Sequence, residues 1–177
     1  MARVVLINGA PGSGKSTVAH ALATHRRMAL ALDVDQLKHS IGGWEEDPNG
    51  SGLHARRLAL ALVDEQLRSG HDVFVGQYLA RTAFIEALQD AAERGSASFH
   101  EFVLDVDPER LAHRLDRRAQ SPSRPEHGVN SRLVGPTDAL RLVQSLAGLR
   151  TSRPSAIWID GNGTLEETVA SISAAIG

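Results

Sequence analysis

The run NGAPGSGKST, Asn8 to Thr17, gathers glycines, a lysine and neighbouring hydroxyls in the pattern that holds phosphate. Gly9-Ala10-Pro11-Gly12-Ser13-Gly14-Lys15-Ser16 matches G-x-x-x-x-G-K-[ST] at every defined position. Glycine lets the backbone take positive φ and turn its N–H groups inward, where they and a helix N-terminus meet a β-phosphate. The Lys15 ammonium then bridges β- and γ-phosphate oxygens, the Ser16 hydroxyl ligates Mg²⁺, and Thr17 reaches the α-phosphate. A nucleoside triphosphate with its magnesium is the ligand this pattern predicts. No N-K-x-D guanine-reading motif is present, so ATP is expected rather than GTP.

Other residues of chemical interest stand at strand ends. LDVDQL sets Asp33 and Asp35 two apart, so that both side chains leave one face of the chain. One of the two also suits the N-cap of a short helix over QLKHS. VFVGQY ends in Gly76-Gln77, where a mechanical ATPase carries an acid for Mg²⁺, which argues against that class. Gln77 and Tyr78 point toward the same crevice, and Arg81 a few residues on suits an anionic acceptor. From Arg110 to Arg132 the chain carries Arg110, Arg114, Arg117, Arg118, Arg124 and Arg132 against Asp116 and Glu126, a local excess of four positive charges. Guanidinium forks stabilise charge on a transferring phosphoryl group. Arg114 is expected to bind the nucleotide, and Arg117 and Arg118 to act in catalysis. No aromatics interleave with these arginines, which speaks against nucleic acid.

The elements that must position these groups alternate along the chain. Strands are expected at 3–8, 28–33, 72–76, 99–106 and 156–160, the fourth partly exposed at its polar start. Helices follow the phosphate loop and span about 53–69, 83–94 and 108–119, the second and third of these four ending at Gly70 and Gly95. Asp107-Pro108 supplies an N-cap and an N1 proline, and Thr164 with Glu167 forms a capping box for the last helix. The Gly-, Pro- and Ser-rich stretches 40–52 and 121–136 read as loops. Strands separated by helices mean βαβ units, hence a three-layer α/β/α fold on a five-stranded parallel sheet.

Composition narrows the class further. With 177 residues, 42% of them apolar, the chain is expected to form one domain over 1–177. A net charge of -2 argues against a surface for nucleic acid or anionic membrane. There is no cysteine, so disulfides and thiolate metal sites are excluded, and the eight histidines show no metal-binding spacing. The longest apolar run, LALALV, is far short of the about 20 residues of a membrane span, and a cytoplasmic protein is expected.

Phosphate loop, D-x-D after the second strand and arginine-bearing segment after the fourth together resemble the shikimate kinase, gluconate kinase and chloramphenicol phosphotransferase group of P-loop kinases. VLINGAPGSGKS is also similar to tunicamycin-resistance ATP-binding proteins. The resemblance implies that Asp33 supports hydrated Mg²⁺ and that Asp35 accepts a hydrogen bond from the substrate hydroxyl. It further implies an arginine-bearing lid over about 114–136, an acceptor pocket shaped by Trp44, Arg56 and Arg57, and an adenine-lining role for the IDGNGT backbone after the fifth strand. The function it implies is ATP- and Mg²⁺-dependent transfer to a hydroxyl of a small molecule, an antibiotic or sugar-type acceptor. A zeta-toxin-like nucleotide-sugar kinase, a nucleoside or nucleotide kinase, and an ATP-binding resistance or regulatory protein with little turnover are the alternatives.

Overall fold

The computed structural model describes residues 1–120 and 134–177. Five strands, β1 (Arg3–Gly9), β2 (Leu30–Leu32), β3 (Val73–Gln77), β4 (Ser98–Asp105) and β5 (Ile157–Asp160), form one sheet in the order β2-β3-β1-β4-β5. Every pairing is parallel, with Ile7 opposite Gly76 on one side and Phe102 on the other. The helices are α1 (Lys15–Thr24), α2 (Val34–His39), α3 (Pro48–Arg68), α4 (Ala83–Arg94), α5 (Pro108–Gln120), α6 (Ala139–Ala147), the single turn α7 (Leu149–Ser152) and α8 (Leu165–Ile176). No helix among the described residues is long and apolar enough to cross a membrane.

Alternation along the strands divides the core into two layers. Val5, Ile7, Phe74, Phe102 and Leu104 face Val18 and Leu22 of α1 and Ile172 and Ile176 of α8. Val4, Leu6, Val73, Val75 and Val103 face α3, α4, α5 and α6 through Val63, Leu88, Leu111 and Leu142. Both faces of β1 are therefore covered, which is why VVLI is apolar without interruption. The chain leaves β1 through α1 to the outer strand β2, returns to β3, and then crosses to β4 on the far side of β1. The segments after β1 and β3 depart to opposite faces and open a crevice at the carboxyl ends of the strands.

Several element boundaries differ from the sequence reading. Helix α3 begins at Pro48, inside the stretch 40–52 read as loop, because Asp47 accepts the Gly50 N–H at 2.9 Å and Pro48 occupies the first turn. Gly70 ends it as expected, at φ 78 with the His71 N–H returning to Gln66. At the end of α4 the left-handed residue is Ser96 (φ 51) rather than Gly95. Gly95 answers a packing need instead, since a Cβ there would come 2.9 Å from Leu67 of α3. Helix α5 runs on through residues 114–120 of the expected lid, and residues 121–133 of that lid lie outside the described residues.

Candidate active site

The phosphate loop turns tightly between β1 and α1, with Gly12 at φ 89 and Gly14 at φ 97, and Ser13 N–H donates to the Ala10 carbonyl at 3.0 Å. Its entrance is fixed by Asn8, which is fully buried. The Asn8 Oδ1 accepts N–H groups from Gly9 (2.8 Å) and Leu79 (2.9 Å), and its Nδ2 donates to the Leu79 carbonyl at 2.8 Å. One amide thus ties the loop to the segment after β3. Gly76 brings β3 against the first turn of α1: a Cβ there would lie 2.9 Å from Ser16 Cα and 3.1 Å from the Lys15 carbonyl.

Burial holds the Lys15 ammonium below its ordinary pKa, against the opposing pull of Asp35 and then Asp33, while Arg118 pushes in the same direction as burial. Ser16 Oγ donates to Asp33 Oδ2 at 2.8 Å, and Asp33 Oδ1 accepts the N–H of Asp35 at 2.9 Å as the N-cap of α2. Gln77 Nε2 donates to Asp35 Oδ1 at 3.4 Å, while its Oε1 is buried without a partner among the described residues. The Ser16 hydroxyl with the Asp33 carboxylate is a hard-oxygen pair of the kind Mg²⁺ takes when phosphates and water complete its shell, so the residues present fit that ion. Among the described residues no three His, Cys, Asp or Glu side chains cluster as a metal site of their own.

The arginines separate by environment. Arg114 Nη1 donates to the Ser13 carbonyl at 3.1 Å and Nη2 to the Gly161 carbonyl at 2.9 Å. It straps the phosphate loop to the loop between β5 and α8, the IDGNGT stretch. The Nε and Nη2 of Arg118 are buried without partners among the described residues, and burial lowers the pKa of that guanidinium. Arg117 and Arg110 are exposed, and Arg124 and Arg132 lie outside the described residues.

Beside Asp35 opens a cleft of about 380 Å³, lined by Asp35, Lys38, Leu53, Arg56 and Gln77 among others. Trp44 and Arg57 do not line it. Trp44 packs against His39, with ring centroids 4.5 Å apart, and Arg57 is exposed on α3. Arg81 is exposed just before α4, and Tyr78 bonds Ser145 of α6 through its hydroxyl at 2.8 Å. Asn8 and Lys38 were not singled out by the sequence reading. Lys38 could have been found, because it lies three residues after Asp35 on a helix and so shares its face. Arg56, one of the residues expected to shape the pocket, does line it and continues the face of Asn49, Gly52 and Leu53 on α3.

Phosphate loop, paired acids, buried guanidinium and adjacent cleft on a parallel sheet define a P-loop nucleotide-binding domain. The family model described as an AAA domain matches residues 4–134, and the chain belongs to that family. Adenylate kinase from Phenylobacterium zucineum (strain HLK1) is 25% identical over 97% of this chain and 96% of its own length. Among solved structures, a gluconokinase from Sinorhizobium meliloti 1021 is similar at 20% identity and TM-score 0.63, covering 98% of this chain and 90% of its own. The tunicamycin resistance protein of Deinococcus radiodurans is similar at 18% identity and TM-score 0.67, covering 99% and 96%. These two likenesses concern the fold.

Proposed function

We propose that the chain transfers the γ-phosphoryl group of ATP to a hydroxyl of a small molecule bound in the cleft beside Asp35. The observation that carries this is the double position of Asp35, a wall of the cleft and, through Asp33 and the Ser16 hydroxyl, a hydrogen-bonded neighbour of the phosphate loop. The amides of Gly12 to Gly14 with Lys15 bind the β- and γ-phosphates, Thr17 the α-phosphate, and the loop at 160–164 lies against the base. Ser16 and Asp33 would hold Mg²⁺, which when bound neutralises charge on the β- and γ-phosphates. Asp35 orients the acceptor hydroxyl and takes its proton as the oxygen bonds to the γ-phosphorus. The bond from that phosphorus to the β–γ bridging oxygen breaks, ADP departs, and the proton passes from Asp35 to solvent. Arg118, whose buried Nε and Nη2 have no partner among the described residues, stabilises the equatorial oxygens, and Arg117 joins it from the exposed side of α5.

The test is a panel of hydroxylated acceptors (sugars, sugar acids, antibiotics, nucleosides and AMP) incubated with ATP and Mg²⁺ and read by mass spectrometry. Asp35→Asn is expected to lower product formation by about 10²- to 10⁴-fold, the range of a positioned acid–base group, with ATP affinity unchanged. No phosphorylated product across the panel would sink the reading. A second reading, transfer to a nucleoside monophosphate, is favoured by the adenylate kinase relative. ADP formed from AMP and ATP at a higher kcat/KM than any other product selects it.

A further inference from the structure

The walls of the cleft are ordered by hydrogen-bonding character and charge. Gln77 at the end of β3, Asp35 and Lys38 of α2 and Arg56 of α3 stand in its lining. Gln77 is 8% exposed, and its orientation follows from chemistry. A carboxylate only accepts, so Nε2 must face Asp35, and Oε1 is left in the buried wall without a donor among the described residues. A buried carbonyl of this kind calls for a hydrogen-bond donor, which a bound ligand can supply.

The cations are held but not neutralised. Among the described residues neither Lys38 nor Arg56 forms an ion pair. Lys38 Nζ lies 5.3 Å from the centre of the Trp44 ring and the Arg56 guanidinium 5.8 Å from that of Phe84. Seating on a ring face fixes a cation while leaving its charge available. Two positive groups against the single carboxylate in its lining, that of Asp35, give the cleft a positive field, and Asp35 and Gln77 Oε1 supply two oxygen acceptors.

We propose that the acceptor is a small hydroxylated anion. Its reacting hydroxyl donates to Asp35, a second hydroxyl donates to Gln77 Oε1, and its carboxylate or phosphate faces Lys38 and Arg56. As a statement about the acceptor it rests on the kinase reading above. As a statement about the cleft it stands on Gln77, Lys38 and Arg56. It explains Trp44 differently from the sequence expectation: the indole seats Lys38 rather than lining the pocket.

The test is calorimetric, on the full chain with Mg²⁺ and β,γ-methylene-ATP, so that it needs no turnover. The probes are D-gluconate, D-sorbitol, D-glucosamine and glycerol 3-phosphate. At least one anion is expected to bind about tenfold or more tighter than sorbitol and glucosamine, with the preference shrinking as ionic strength rises. Whichever anion is preferred, gluconate or glycerol 3-phosphate, tells carboxylate from phosphate. Arg56→Gln and Lys38→Gln bring the preference to within about threefold, Arg56→Lys retains most of it, and Gln77→Leu weakens the anion without moving affinity for the nucleotide analogue. Sorbitol or glucosamine binding as tightly as both anions overturns the proposal, as do failure of both anions to bind and a preference unmoved by Arg56→Gln. An anion that binds in this way yet receives no phosphate from ATP upholds the anion site and removes the kinase reading.

Discussion

Asp33 shows how one side chain can satisfy two readings that look exclusive in a sequence. Its Oδ1 caps α2 through the Asp35 and Gln36 N–H groups, and its Oδ2 holds the Ser16 hydroxyl. Cap and magnesium support are therefore not alternatives at this position. The two roles are separable, because an amide oxygen caps as well as a carboxylate but brings no charge to a metal. Asp33→Asn is expected to leave Tm nearly unchanged while raising the Mg²⁺ concentration needed for half-maximal activity. Asp33→Ala also loses the cap, about 1 kcal/mol, which for a chain of this size lowers Tm by about 2–4 °C in a calorimetric scan. An asparagine variant as unstable as the alanine variant, with unchanged Mg²⁺ dependence, would mean the carboxylate charge has no part in the site. At this scale the sequence was most legible where a motif fixes each position, from Gly9 to Ser16. It was least legible at Gln77 Oε1 and at Asn8, whose significance depends on partners more than forty residues away.

Among elements, α5 is the one whose sequence reading was right in extent and incomplete in purpose. Its Arg114 was expected on phosphate, yet its two forks end on the carbonyls of Ser13 and Gly161. The helix thereby joins the phosphate loop to the loop expected to lie against the base. Each is a hydrogen bond from a charged donor, worth about 1.5–3 kcal/mol where it is well made, and loss of both frees two loops that must be fixed together to hold one nucleotide. Arg114→Gln is accordingly expected to raise KM for ATP about tenfold or more, with KM for the acceptor unchanged. Binding of inorganic tripolyphosphate, which has no base to place, falls less than binding of ATP. Equal losses for the two ligands would make Arg114 a phosphate ligand instead. The same scale explains why α3 was misread. Asp47-Pro48 is the same cap-and-proline start that was recognised at Asp107-Pro108, but Asn49 and Gly50 followed it and outweighed the signal. Five residues of helix were hidden, and with them Pro48, Asn49 and Gly52 of the cleft wall.

For the whole molecule, the alternation of strand and helix was legible because each element carries its own period, whereas strand order depends on which apolar surfaces meet and is not local. The same limit applies to the polar network that joins three parts of the far half of the sheet. Glu101 of β4 is 5% exposed and accepts from Arg153 Nε at 2.8 Å, while Arg153 Nη2 donates to Gln89 of α4 at 2.7 Å. Its members lie 52 and 64 residues apart, and the alternating polar start of FHEFVLDV suggested only a partly exposed strand start. Burial raises the Glu101 carboxyl above its ordinary pKa, with the hydrogen bond and charge of Arg153 opposing that rise. Between the ordinary value and the raised one, the folded chain keeps a proton that the unfolded chain has released, so stability falls as pH climbs through that window and then levels. Removing Arg153 removes the opposing influence and leaves a carboxylate buried without its cation, a loss of about 3 kcal/mol. Arg153→Met should therefore lower Tm by about 6–12 °C at pH 8. The deficit should narrow at pH 5, because a protonated Glu101 no longer needs the guanidinium. A deficit that is the same at both values would show that Arg153 acts by packing alone. With the active-site crevice at the carboxyl ends of the strands and this network bonded to Gln89 of α4 and Glu101 of β4, the variant should keep wild-type KM for ATP at temperatures where it remains folded.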